Sequence, residues 1–246
     1  NFGCNIIANI VIENIELEGE VKSVTLSDGR SFTAESIILT PGGRSRTLGM
    51  PGEDIFKGKG ISYCATCDGD FFTDKEIVVV GGGNSALEEA VSLTKYASKV
   101  TIVHQFDNFQ AFEFAIEEAR NHPKINFIME STITSFYGSE NLESVDIKNL
   151  KTGLTSNFKT DGVFIFIGYI PNTEFIGGLI EMNKWGEILV KPDMSTNIEG
   201  VYAAGDSIAK RYRQVTTAVA DGTVAALAAS NYVHEIKTKR KNLIPA

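Results

Sequence analysis

Two thiols and a carboxylate stand together in the stretch Cys64-Ala65-Thr66-Cys67-Asp68. Cysteines at this spacing can close a disulfide and reopen it by exchange, and a neighbouring carboxylate can hold or release the proton that thiolate chemistry must move. The alternatives are half of a zinc site or a pair of ordinary buried cysteines. Zinc requires further ligands, and neither Cys4 nor the three histidines show a matching spacing. The pattern therefore predicts redox chemistry and no metal.

A second stretch, Gly81-Gly82-Gly83-Asn84-Ser85-Ala86, follows an apolar run and opens a segment with apolar residues at Ala86, Leu87, Ala90, Val91 and Leu93. A glycine turn between strand and helix is where backbone N–H groups and a helix N-terminus can hold a pyrophosphate. The same glycines also serve helix–strand packing. Preference is set at the tip of the next strand, where an acid takes a ribose 2′-hydroxyl and an arginine a 2′-phosphate. Here the tip reads His104-Gln105-Phe106-Asp107-Asn108-Phe109-Gln110, with no arginine and no acid before Asp107.

The elements that must position these groups belong to a chain of 246 residues, 43% hydrophobic and 22% charged, a composition that folds as one large core or two modest domains. Its net charge of -8 argues against a general binder of nucleic acid or anionic membrane. The one basic run, Lys237 to Asn242, reads as a solvated helix end. No apolar run approaches the roughly 18 residues of a membrane span, and three cysteines are too few for a disulfide framework. The expected protein is soluble and cytoplasmic.

Strands are expected over 6–13, 20–27 and 31–40, with a hairpin turn at Ser27-Asp28-Gly29-Arg30. The run 76–104 reads as a βαβ unit; a helix from about Ala111 to Asn121, a strand at 125–130, a meander and an apolar strand at 162–168 complete an α/β region. Strands at its start and an Ala-rich helix from about Val215 to Tyr232 make up the remainder. Both ends of the chain thus resemble halves of one domain, residues 1–47 with 172–246, and 48–171 is inserted between them.

The strings CATCDG, VVVGGGNSALEEA, VYAAGD and RQVTTAVADG, in this order, resemble the thioredoxin reductases of low molecular weight, over nearly the whole chain. The resemblance implies an α/β fold of two Rossmann-like, three-layer ββα domains, a nicotinamide-type domain set into a discontinuous FAD domain, and usually a homodimer. It implies that Cys67 exchanges electrons with the flavin, that Cys64 exchanges with the disulfide of thioredoxin, and that Asp68 is the general acid/base. Gly205 and Asp206 would hold the FAD ribitol and pyrophosphate region, and Arg213, Gln214 and Val215 would border the isoalloxazine. Gly42 keeps the glycine of the family's Ala-Thr-Gly turn, here Thr40-Pro41-Gly42. The family's N-terminal G-x-G-x-x-G is absent from this sequence, which reads as a fragment.

Members that use NADPH carry His-Arg-Arg and a further Arg at the strand tip, where this chain has His104, Gln105, Phe106 and Gln110. Each charge-assisted bond to phosphate contributes about 1.5–3 kcal/mol, so their joint loss costs several decades of affinity. The pattern is similar to that of the flavin-dependent, ferredoxin-linked thioredoxin reductases. The expected enzyme passes electrons from ferredoxin through FAD and the cysteine pair to thioredoxin; alternatives are an NAD(P)H-dependent thioredoxin or peroxiredoxin reductase and a non-catalytic redox sensor. Candidate landing charges for an acidic ferredoxin are Arg44, Arg46, Lys57, Lys59, Lys210, Arg211 and Arg213. Phe106, Phe109, Phe112 and Phe114 either fill the vacated nucleotide pocket or belong to the core.

Overall fold

The computed structural model describes residues 3–243. It divides into two compact units, one formed by the residues up to Arg44 with those from Ile170 onward, the other by Ser45–Tyr169.

In the first unit, β1 (Ile12–Glu16), β2 (Lys22–Leu26) and β3 (Ser31–Ala34) form an antiparallel meander. The segment expected as one strand over 31–40 is two. After β3 the chain leaves the meander, and β4 (Ile37–Leu39) pairs in parallel with a strand from the far end of the sequence. Residues 6–11 lie outside any strand and are mostly exposed; β-branched sequence alone does not make a strand. β5 (Gly43–Ser45) marks the first junction between the units.

The second unit begins with the one-turn helix α1 (Glu53–Phe56), β6 (Ile61–Ser62) and the one-turn helix α2 (Ala65–Asp68). The βαβ unit follows as β7 (Glu76–Val80), α3 (Asn84–Leu93) and β8 (Lys99–Val103), and then α4 (Glu113–Asn121) and β9 (Ile125–Ile128). β10 (Ser131–Gly138), β11 (Leu142–Asn149) and β12 (Thr155–Lys159) form an antiparallel meander, and β13 (Gly162–Ile165) returns to the main sheet. That sheet is five-stranded and runs β6-β13-β7-β8-β9, with parallel pairing throughout.

Its central strands are continuous apolar runs because both faces are covered. Ile77 and Val79 pack with Ala86, Leu87, Ala90 and Ala115 of α3 and α4, whereas Val78 and Val80 pack with Ile133, Phe136, Val145 and Ile147 of the meander. Period-2 alternation thus divides one strand between two cores, and the unit is a three-layer ββα domain of Rossmann type.

β14 (Tyr169–Pro171) marks the second junction, and β15 (Val201–Ala203) is the parallel partner of β4. The last part of the chain, expected to begin with strands, makes only isolated bridges at Ile188 and Ser195 before β15 and is otherwise irregular there. The last helix, α5 (Val215–Leu243), is longer than expected. Its Ala225 and Ala229 pack on Tyr202 and Ala204, while Arg240 reaches Glu20 and Glu35 at its far end. Those contacts lie beyond the apolar stripe from which the shorter helix was read. Among the described residues no helix is long and apolar enough to cross a membrane.

Candidate active site

Cys64 and Cys67 are joined in a disulfide with Cα atoms 5.3 Å apart. Cys64 is the N-cap of α2, and its Sγ accepts the backbone N–H of Cys67 at 3.1 Å. A donor aimed at one sulfur favours charge on that sulfur once the bond opens. Cys67 is exposed within this unit and Cys64 half-buried. Asp68, the last residue of α2, accepts a 2.6 Å hydrogen bond at Oδ2 from the hydroxyl of Ser62, and its own N–H donates to the Cys64 carbonyl at 3.2 Å. The cysteines and the carboxylate singled out from sequence are therefore within one helical turn.

Two further residues hold this turn in place. The Tyr63 hydroxyl donates to Glu53 at 2.7 Å, and the same buried carboxylate accepts the N–H groups of Leu48, Gly49 and Met50 at 3.1, 2.7 and 3.4 Å. Burial, reinforced by the Glu53 carboxylate, pushes the Tyr63 hydroxyl far above its ordinary pKa, so the tyrosine stays a donor. Neither residue was legible from spacing, because the pairing joins the first residue of α1 to the residue that follows β6. Replacing Glu53 by alanine leaves three backbone donors and a phenol without their buried acceptor, which costs about 3 kcal/mol or more; urea unfolding followed by far-UV circular dichroism measures it, with Glu53→Gln expected to lose less.

At the glycine turn, Gly81 has φ 139° and Gly83 is the extended N-cap of α3, with no side chain capping it. A Cβ on Gly82 would collide with the imidazole of His104. The histidine ring is buried, stacks on Phe109 with centroids 5.4 Å apart and places Nε2 3.1 Å from the Asn108 carbonyl; burial holds its pKa below the usual range. Gln110 folds back on the loop, its backbone N–H donating to Gly82 and its side-chain amide to the Asn108 carbonyl at 2.8 and 2.7 Å. Gln105 and Phe106 are exposed. Lys151, joined to this corner through Glu130, is paired with that carboxylate at 3.2 Å. Of the four phenylalanines, Phe109 packs inward, against His104 and Phe127, and Phe106 sets its edge against the same His104 ring from the exposed side. Phe106, Phe112 and Phe114 are exposed, so they are neither core nor pocket filling: the loop turns outward after the strand.

In the other unit, parallel pairing of β4 with β15 sets their C-terminal ends side by side, the place where open α/β sheets bind ligands. Thr40-Pro41-Gly42 follows one strand and Ala204-Gly205-Asp206 the other. Gly42 (φ 63°) and Gly205 (φ 79°) hold left-handed backbone without close neighbours. Asp206 Oδ1 is buried without a hydrogen bond, although Lys210 lies 3.5 Å away: the charge is balanced, but a lone pair remains for a hydroxyl donor. Arg213 donates to the Asp206 carbonyl at 3.2 Å and pairs with Glu187. The Gln214 N–H is taken by Thr217 at 3.2 Å, and Val215, at the start of α5, is 81% exposed.

Several proposed landing charges are not free. Lys210 is largely buried between Asp206 and Asp221, Arg213 is held by Glu187, Arg44 donates to Asn172 and Glu174, and Lys57 lies over the Tyr63 ring. Sequence spacing counts these cations without showing the acids that meet them.

Residues 5–222 match the family described as pyridine nucleotide-disulphide oxidoreductase. The chain is 44% identical to the thioredoxin reductase of Peptoclostridium acidaminophilum, over 94% of its own length and 75% of that protein's. It is also 44% identical to a 34.2 kDa protein in the rubredoxin operon of Clostridium pasteurianum, with 95% and 75% coverage. Among solved structures, thioredoxin reductase from Streptococcus pyogenes MGAS5005 superimposes with a TM-score of 0.86 at 38% identity, covering 92% of this chain and 74% of that one. FAD is the cofactor of this family, and Asp206, with one carboxylate oxygen left without a hydrogen bond, stands with Gly42 and Gly205 at the paired strand ends, a set that fits a flavin nucleotide. The chain belongs to the pyridine nucleotide-disulphide oxidoreductase family, among its thioredoxin reductases of low molecular weight.

Proposed function

We propose that this chain serves an FAD-dependent enzyme that reduces the disulfide of thioredoxin through Cys64 and Cys67, with reduced ferredoxin and not NADPH as the source of electrons. The observation that carries the first part is the Cys64–Cys67 disulfide with the Asp68 carboxylate one residue beyond it. Gly42, Gly205 and Asp206 would hold FAD, with Arg213, Gln214 and Val215 at its border, and the flavin would supply the electron pair for opening this disulfide.

The exchange then balances within the chain's own groups. The Cys64 thiolate, stabilised by the Cys67 N–H, attacks one sulfur of the partner disulfide and forms a mixed disulfide, expelling the partner's other sulfur as a thiolate. Cys67 attacks Cys64, the mixed disulfide breaks, and the Cys64–Cys67 bond re-forms. Two electrons pass to thioredoxin, and two protons pass from the cysteines to its sulfurs. Asp68 carries one of those protons.

Support for the donor comes from the strand tip: Gln105, Phe106 and Gln110 offer no charge to a 2′-phosphate. A second reading keeps a nicotinamide nucleotide, favoured by the family's description and by the uncapped start of α3 after Gly83. The discriminating experiment is an anaerobic titration of the full-length, FAD-loaded protein, in which flavin bleaching is followed with ferredoxin, NADPH and NADH in parallel before thioredoxin is added. Bleaching by ferredoxin, with no reduction by either nucleotide at micromolar concentration, is expected. Rapid bleaching by NADPH overturns the donor assignment. The homodimer of the family is proposed here too, and sedimentation of the same protein tests it.

A further inference from the structure

We propose that Ser62 is the positioning residue for Asp68 in the exchange with thioredoxin. The proposal rests on the reading of Asp68 as the acid/base of that step. Ser62 is the last residue of β6, 4% exposed, in register with Phe164 of β13. Its place is set by the parallel sheet and not by the short α2. The hydroxyl has one proton and two acceptors within reach: Asp68 Oδ2 at 2.6 Å and the Cys64 carbonyl at 3.3 Å. The shorter bond, to the ionisable oxygen, is the stronger one. The oxygen of the same hydroxyl accepts the Cys64 N–H at 3.1 Å.

One buried hydroxyl thus ties together the backbone of the cysteine that exchanges with the partner and the carboxylate that moves the proton. Asp68 needs such a tie. It ends a helix of four residues, is half-exposed, and among the described residues has no other side-chain donor. Without Ser62 the carboxylate is free to turn toward water, away from the sulfur whose leaving it assists. Small displacements of this kind are costly when the transferred proton must be met at hydrogen-bond distance.

The chemistry supplies a test that separates positioning from mere structure. A thioredoxin cysteine leaves as a basic thiolate and gains from a proton donor, whereas the thiolate of an aromatic disulfide such as 5,5′-dithiobis(2-nitrobenzoate) leaves readily without one. Full-length, FAD-loaded protein is reduced, freed of reductant and mixed with oxidised thioredoxin or with the aromatic disulfide, and single-turnover oxidation is followed. With thioredoxin, Asp68→Asn is expected to slow the step by about 10²-fold or more, Ser62→Ala by about 10-fold, and the double variant no more than about 2-fold beyond Asp68→Asn alone. Ser62→Thr, which keeps the hydroxyl, recovers most of the rate. Oxidation by the aromatic disulfide, which still requires the Cys64 proton to be removed but needs no acid for its leaving group, is expected to slow by clearly less than the thioredoxin reaction in each variant.

An unchanged rate in Asp68→Asn overturns the acid/base reading itself. A slow Asp68→Asn beside an unchanged Ser62→Ala overturns the role of Ser62 alone. Losses that multiply in the double variant, or an aromatic-disulfide reaction slowed as much as the thioredoxin reaction, make Ser62 a structural residue and also overturn the proposal.

Discussion

Cys67→Ser in the full-length, FAD-loaded protein is expected to abolish thioredoxin reduction, by more than about 10³-fold, and to trap thioredoxin as a stable mixed disulfide on Cys64. The loss is large because two-electron disulfide exchange has no partial substitute: a serine hydroxyl cannot take the second sulfur's place in resolving the mixed disulfide. The trap is the informative part. Cys64 accepts the Cys67 N–H at 3.1 Å and caps α2, and that backbone donor survives replacement of the Cys67 side chain. Its thiolate therefore keeps its stabilisation in the variant. Cys64→Ser should lose activity equally but accumulate no comparable adduct, because among the described residues no such donor is aimed at Cys67. Exposure pulls the other way, since Cys67 is the more exposed of the two residues in the disulfide form. Mass spectrometry of each variant after mixing with oxidised thioredoxin decides between them, and a trap on Cys67 in Cys64→Ser reverses the assigned order of attack.

The parts of this fold that were readable from sequence are those whose residues carry their own periodicity. Ile77 to Val80 is apolar at every position because Ile77 and Val79 face helices and Val78 and Val80 face the meander, and α3 shows its buried stripe at Ala86, Leu87 and Ala90. The cysteine pair and the glycine turn were readable because local spacing alone defines them. What escaped depends on contacts between distant positions. The break at Glu35 and Ser36 is invisible in a β-rich run until β4 finds β15, more than 160 residues on. Ser62 looks like any strand-end serine until α2 brings Asp68 back onto it. Glu53 reads as a surface acid, yet it is buried as the acceptor for Leu48, Gly49, Met50 and Tyr63. Lys210 and Arg213 were counted as surface cations for the same reason, since Asp221 and Glu187 are met only in three dimensions.

Placing arginine at Gln105, Phe106 and Gln110 together is expected to create tight NADPH binding where the parent has little. The glycine turn, the extended Gly83 and the uncapped start of α3 are already in place, so the variant adds only the charges that a 2′-phosphate requires. Gln105 and Gln110 are exposed, and Phe106, also exposed, gives up only its edge contact with the His104 ring, so a long, charged side chain costs little there. Gln110 gives up its amide bonds to Asn108, but its backbone N–H still latches the loop to Gly82. At about 1.5–3 kcal/mol for each charge-assisted bond, even two of the three additions lower Kd by about 10²-fold or more. The gain should be specific to NADPH, with NADH nearly unchanged, because only the former carries the extra phosphate. It should also weaken with salt, as exposed charges do. Calorimetric titration of both nucleotides into parent and triple variant measures this. If the parent already binds NADPH at micromolar Kd, the bare strand tip does not set the choice of donor, and the nicotinamide reading replaces ferredoxin.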